Sequence, residues 1–81
     1  MIFSYRGEFY MIISNFTKPE LEHFRDECNF VNDEMKVFEL RSQGMGLEEI
    51  AERLNITYDG IKRISQKVNR KITIVLSYVE N

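Results

Sequence analysis

With 81 residues, a formal net charge of −2 and 43% hydrophobic residues, the chain has the length of one small domain that buries about 60% of its unfolded surface. Its single cysteine, Cys28, excludes an intramolecular disulfide, fits a reducing cytoplasm, and on an apolar helix face reads as a buried small hydrophobe rather than a nucleophile. The apolar stretches Met1-Ile2-Phe3 and Met11-Ile12-Ile13 are too short for a signal-peptide core or a membrane span, so neither export nor a membrane partner is expected.

Residues 1 to 13 read as an N-terminal extension rich in β-branched and aromatic side chains, in which Arg6-Gly7 can turn a short hairpin of Ile2 to Tyr5 against Glu8 to Ile12. The helices need nothing before Met11, which reads equally well as the true first residue. Residues 14 to 81 carry the domain. Thr17-Lys18-Pro19-Glu20 has capping-box spacing with proline in the first turn, and Leu21, Phe24 and Cys28 make the apolar face of a first helix ending near Asn29. Phe30 and Val31 are expected to anchor the connection in the core. Asn32 or Asp33 caps a second helix with Val37, Phe38 and Leu40 facing inward and Arg41 near its end, and Gly44 terminates it in a left-handed conformation. Gly46 opens a third helix, with Glu49 at the capping-box position and Glu48-Glu49 favourable at the positive end of the dipole.

Residues 47 to 72, LEEIAERLNITYDGIKRISQKVNRKI, carry most of the information about function. Leu47, Ile50, Ala51 and Leu54 share one helical face, and Ala51 is small where two steeply crossing helices touch. Asn55 tolerates the left-handed backbone that a sharp turn requires. Ile56 then plugs the core, and Thr57 caps a fourth helix starting at Tyr58. This is a helix-turn-helix pattern, and it predicts an all-α, compact four-helix domain with a long C-terminal helix.

Charge divides along the chain. Residues 1 to 57 carry six Lys/Arg against eleven Asp/Glu, whereas residues 58 to 81 carry five against two, so an acidic body bears one basic helix. In that helix Ile61, Ile64, Val68, Ile72, Val75 and Val79 make an apolar stripe, with Asp59, Lys62, Arg63, Gln66, Asn69 and Arg70 away from it. Residues 72 to 79 are apolar on more than one side. They read as extra core or as a homodimer surface through Ile72, Val75, Leu76 and Val79; a strand is the second reading of their β-branched content.

In such a motif the second helix enters the major groove and its N-terminal residues meet base edges. Arg63 is suited to guanine O6/N7, Lys62 to guanine or phosphate, Asp59 to cytosine N4, and Tyr58 to a thymine methyl or a phosphate. Gly60 leaves an open spot for close approach to the DNA backbone, Gln66, Lys67 and Arg70 are better placed for phosphate contacts, and Thr57 completes the DNA-binding set. No enzyme, cofactor or metal site is expected. His23 and Glu27 at i, i+4 lack a third ligand, and His23 and Cys28 lie about 140° apart around a helix.

The run Asp33-Glu34-Met35-Lys36-Val37-Phe38-Glu39-Leu40-Arg41, followed by Leu47 to Leu54 and Ile61-Lys62-Arg63-Ile64, resembles region four of bacterial sigma factors and LuxR-type DNA-binding domains from Asn32 to Ile72, half the chain. The resemblance implies a promoter-reading helix over residues 58 to 72, with base contacts at Tyr58, Asp59, Lys62 and Arg63. Tyr58 and Gly46 depart from it, standing where that family has an arginine or other polar residue and a serine or threonine. There is no room for the sigma domain that binds the second promoter element. With Phe16-Thr17-Lys18-Pro19-Glu20-Leu21 ahead of the domain, the layout is similar to small stand-alone proteins of phages and mobile elements of Gram-positive bacteria. The expected function is a cytoplasmic transcription regulator on double-stranded DNA. The alternative is a region-four-like module that docks on RNA polymerase or a sigma factor without reading DNA.

Overall fold

In a computed structural model, which describes residues 11 to 79 and side chains to Tyr78, a short 3-10 turn at Ile13–Asn15 precedes four helices: α1 (Lys18–Glu27), α2 (Asp33–Ser42), α3 (Leu47–Leu54) and α4 (Tyr58–Val79). The 22 residues of α4 span about 33 Å, which sets the 39 Å long axis of the molecule. The other three helices and the 3-10 turn pack around it and around α2. Residues 72 to 79 continue α4 rather than forming a strand. The hairpin expected of residues 2 to 12 lies almost wholly outside the described residues.

The structured part begins earlier than residue 14. Ile13 is 2% exposed and belongs to the core, and Met11 and Phe16 pack against it; Phe16 meets Phe24 edge-on at 4.9 Å. The core itself joins Phe24, Val37, Phe38, Ile50, Ile61, Val68 and Ile72, all at most 1% exposed, so every helix contributes to a single apolar centre.

Chain reversals are made by the residues that tolerate left-handed backbone. Gly44 (φ 89) ends α2: its N–H donates to Arg41 O and that of Met45 to Leu40 O, which is a Schellman motif. The same pair recurs after α3, where Asn55 (φ 60, ψ 44) donates to Glu52 O and Ile56 to Ala51 O. Here the asparagine takes the glycine's place because its short side chain lowers the cost of the left-handed region.

Three local expectations are corrected. Thr17 and Glu20 do form the capping box of α1, but no side chain caps α2 or α3, so neither Asn32, Asp33 nor Glu49 acts in that way. At α2 the Glu34 carboxylate accepts the Val31 N–H at 3.2 Å instead. Asn32 (φ 47, ψ −117) holds the first central position of a type II′ turn closed by Glu34 N–H to Val31 O at 2.8 Å, a position that glycine usually fills. Phe30 is buried against Phe38, with ring centroids 4.7 Å apart, whereas Val31, expected in the core, is 50% exposed because that turn points it outward. Arg25 forks onto Glu39 (2.5 and 2.9 Å), joining α1 to α2. Lys71 bonds Glu34 at 2.6 Å and the Asn29 carbonyl at 3.2 Å, tying α4 to the start of α2.

Candidate nucleic-acid interface

The start of α4 is set by its turn. Thr57 Oγ1 accepts the Gly60 N–H at 3.1 Å and Thr57 O accepts the Ile61 N–H at 2.9 Å, so the first turn of α4 is capped by the residue expected to do so. The space beside Gly60, expected to be open, is lined by the chain's own side chains. A Cβ there would lie 2.9 Å from Ile56 Cγ2 and 3.1 Å from Thr57 Oγ1; glycine is needed because the turn folds its own side chains back over the helix.

From this anchor α4 presents one outward arc. Thr57, Tyr58, Asp59, Lys62, Arg63, Gln66, Lys67 and Arg70 are all exposed; those from Tyr58 on follow steps that keep them away from Ile61, Val68 and Ile72, and Thr57 precedes the helix as its cap. Tyr58 lies against Lys62, whose Nζ is 5.5 Å from the ring centroid. Asn69, expected on this face, is 5% exposed and turned inward, and Ser65 is buried beside it. Both are bound by Arg41: its Nη1 donates to Ser65 Oγ at 2.7 Å and to Asn69 Oδ1 at 2.6 Å, and its Nη2 to Met11 O at 2.9 Å. Sequence reading missed this network. Its signal was present as two polar residues, Ser65 and Asn69, one turn apart at the margin of the apolar stripe.

Among the described residues the ion pairs are Arg25–Glu39 and Lys71–Glu34, so Lys62, Arg63, Lys67 and Arg70 face solvent without a carboxylate partner. Hydrogen bonding to Glu39 raises the Arg25 pKa. Burial pushes the Glu34 carboxyl up, but the Lys71 ammonium and the Val31 N–H more than offset it and hold the group below its usual value. Burial lowers Arg41 to about 10, still charged at neutral pH. An open cleft of about 340 Å³ lies beside Arg41 and reaches Tyr58, Lys62 and Gln66 on the outward arc.

Comparison of the chain with protein-family models, curated proteins and solved structures finds no match. The arc on α4 therefore has to be read from its own chemistry.

The remaining candidates sit elsewhere. His23 is exposed on α1, and Cys28 is 5% exposed, its thiol pushed up to about 11 by burial. Among the described residues no three His, Cys, Asp or Glu converge as a metal site, and no helix is long and apolar enough to cross a membrane. Of the residues expected to pair two copies, Ile72 and Val75 are buried in the chain's own core and Leu76 packs against it; the side chain of Val79 lies outside the described residues. The large apolar side chains left exposed on that half of α4 are Ile74 (46%) and Tyr78 (71%).

Proposed function

We propose that this protein is a sequence-specific DNA-binding transcription regulator that lays the first half of α4 in the major groove of double-stranded DNA, in the manner of the region-four-like helix-turn-helix domains it resembles. The observation that carries this reading is the outward arc: Lys62, Arg63, Lys67 and Arg70 are exposed and without a carboxylate partner among the described residues, beside Tyr58 and Gln66, on a helix whose start is fixed by Asn55 and Thr57. Lys62 and Arg63, one turn from the helix start, are placed for base edges, and Gln66, Lys67 and Arg70 for phosphates. A homodimer formed through the second half of α4 would use Ile74 and Tyr78, since Ile72 and Val75 are already covered.

Exposed Glu48, Glu49 and Glu52 on α3 favour a second reading, in which the domain docks on a basic protein surface such as that of RNA polymerase without reading DNA. Selection from a random duplex pool, with the wild type and a Lys62→Ala, Arg63→Ala double variant, separates the two. Enrichment of one motif by the wild type, lost in the variant, is the expected outcome. No enrichment by either protein rejects sequence reading in favour of the docking role.

A further inference from the structure

Arg41 is a part-buried cation with no carboxylate partner among the described residues. Its acceptors are Ser65 Oγ, the Ser65 carbonyl at 3.5 Å, Asn69 Oδ1 and the Met11 carbonyl, all neutral. Burying a charge is costly unless an opposite charge or a full set of hydrogen bonds compensates it. Here every acceptor is neutral, and the Nε–H and one Nη2–H, which have no acceptor among the described residues, are not sealed from solvent, so they remain available to a ligand in the open cleft. A guanidinium carries N–H donors in a fixed fork matched to carboxylate and phosphate oxygens, and this one is immobilised by α4 and by the Met11 backbone. The cleft beside it, about 340 Å³, also holds Lys62, Tyr58, Ser65 and Gln66 over apolar Leu47. No Asp or Glu is among its described lining residues.

We propose that this cleft is a phosphate-binding site, in which a phosphate group supplies the counter-charge for Arg41 and Lys62. Two cations and further polar side chains suit a tetrahedral polyanion with several acceptor oxygens better than a single carboxylate. Tyr58, Lys62 and Gln66 belong both to the cleft and to the outward arc of α4. If the DNA reading holds, the occupant is a backbone phosphate flanking the groove; if it fails, the same chemistry takes a free phosphoanion. Arg41 then fixes the register of α4 on its ligand without reading sequence.

The test is a side-chain and backbone NMR titration of the full chain with inorganic pyrophosphate at constant ionic strength, using sodium chloride as the control. It is repeated with Lys62→Gln, which alters an exposed side chain and leaves the Arg41 network intact, and with Arg41→Lys. Saturable shifts are expected at Arg41 Nε–H, Lys62 and Ser65, with chloride giving none, affinity falling about tenfold in Lys62→Gln and the saturable shifts lost in Arg41→Lys. Adding duplex DNA then assigns the source: release of pyrophosphate marks a backbone phosphate, and retention marks a free phosphoanion. Absence of saturation, or an unchanged affinity in Lys62→Gln, overturns the site. The DNA reading is judged separately, because duplex binding that moves Lys62 and Arg63 without Arg41 sustains that reading while rejecting the cleft, and pyrophosphate saturation without duplex binding does the reverse.

Discussion

A methyl group on Gly60 would meet Ile56 Cγ2 at 2.9 Å and Thr57 Oγ1 at 3.1 Å. Alanine favours a helix by about 1 kcal/mol over glycine, but overpacking costs about 1–3 kcal/mol, and Ile56 is a stiff β-branched side chain packed against the core. Gly60→Ala is therefore expected to lose about 1 kcal/mol in urea unfolding; an unchanged or raised midpoint would contradict this. Asn32 presents the opposite case. Its φ of 47 with ψ of −117 costs a non-glycine residue on the order of 1–3 kcal/mol, and its side chain caps nothing. Asn32→Gly relieves that strain and is expected to stabilise by about 1 kcal/mol after the added chain entropy of glycine, seen as a higher urea midpoint with unchanged slope. With the folded pKa of Arg41 lowered to about 10 by burial, the folded state holds that proton less tightly than the unfolded chain does, so desolvation of the charge opposes folding at neutral pH while its hydrogen bonds to Ser65, Asn69 and Met11 favour it.

Two helices, α3 and α4, meet at a turn whose parts were legible residue by residue: small Ala51, left-handed Asn55, capping Thr57. Each is a short-range requirement, and short-range requirements can be read from spacing. The inward and outward faces of α4 were legible for the same reason, except at its margin. Asn69 has the polarity of a surface residue, and Arg41, twenty-eight positions away in sequence, binds it on the inward side. The helix yields a quantitative expectation. Lys71 is held by Glu34 and the Asn29 carbonyl, which leaves four outward cations on α4. The slope of log K against log salt for duplex binding by one monomer should then not exceed about 3.6, or about 4.5 if Arg41 also takes a phosphate. Affinity measured at several salt concentrations checks this, and a steeper slope would require basic contacts beyond those of α4 and Arg41.

At the scale of the molecule, Glu34 and Lys71 join the start of α2 to the middle of α4, and their link makes global stability sensitive to acid. A carboxyl whose folded pKa lies below its ordinary value of 4.5 contributes stability that is present above that value and lost as pH falls through the folded pKa. Thermal melts of the wild type should therefore fall more steeply below pH 4.5 than those of Glu34→Gln, which should itself be less stable at pH 7; parallel profiles would remove this pair from the acid response. The fold tolerates dependence on such ties because a chain of 81 residues buries a small core, here essentially one cluster shared by all four helices.

Legible in the chain were the four helices, their order, the left-handed residues Gly44 and Asn55 that end α2 and α3, and the basic outward arc of α4 apart from Asn69, because these follow from periodicity, capping and backbone preference acting over a few residues. Tertiary contacts settled which polar groups go inside, that Ile13 belongs to the core with Met11 packed against it while Ile12 stays exposed, that Ile72 and Val75 are buried within the chain itself, and that Arg41 stands beside a cleft with neutral acceptors among the described residues. Those outcomes depend on contacts between segments twenty or more residues apart, and no local pattern carries that information.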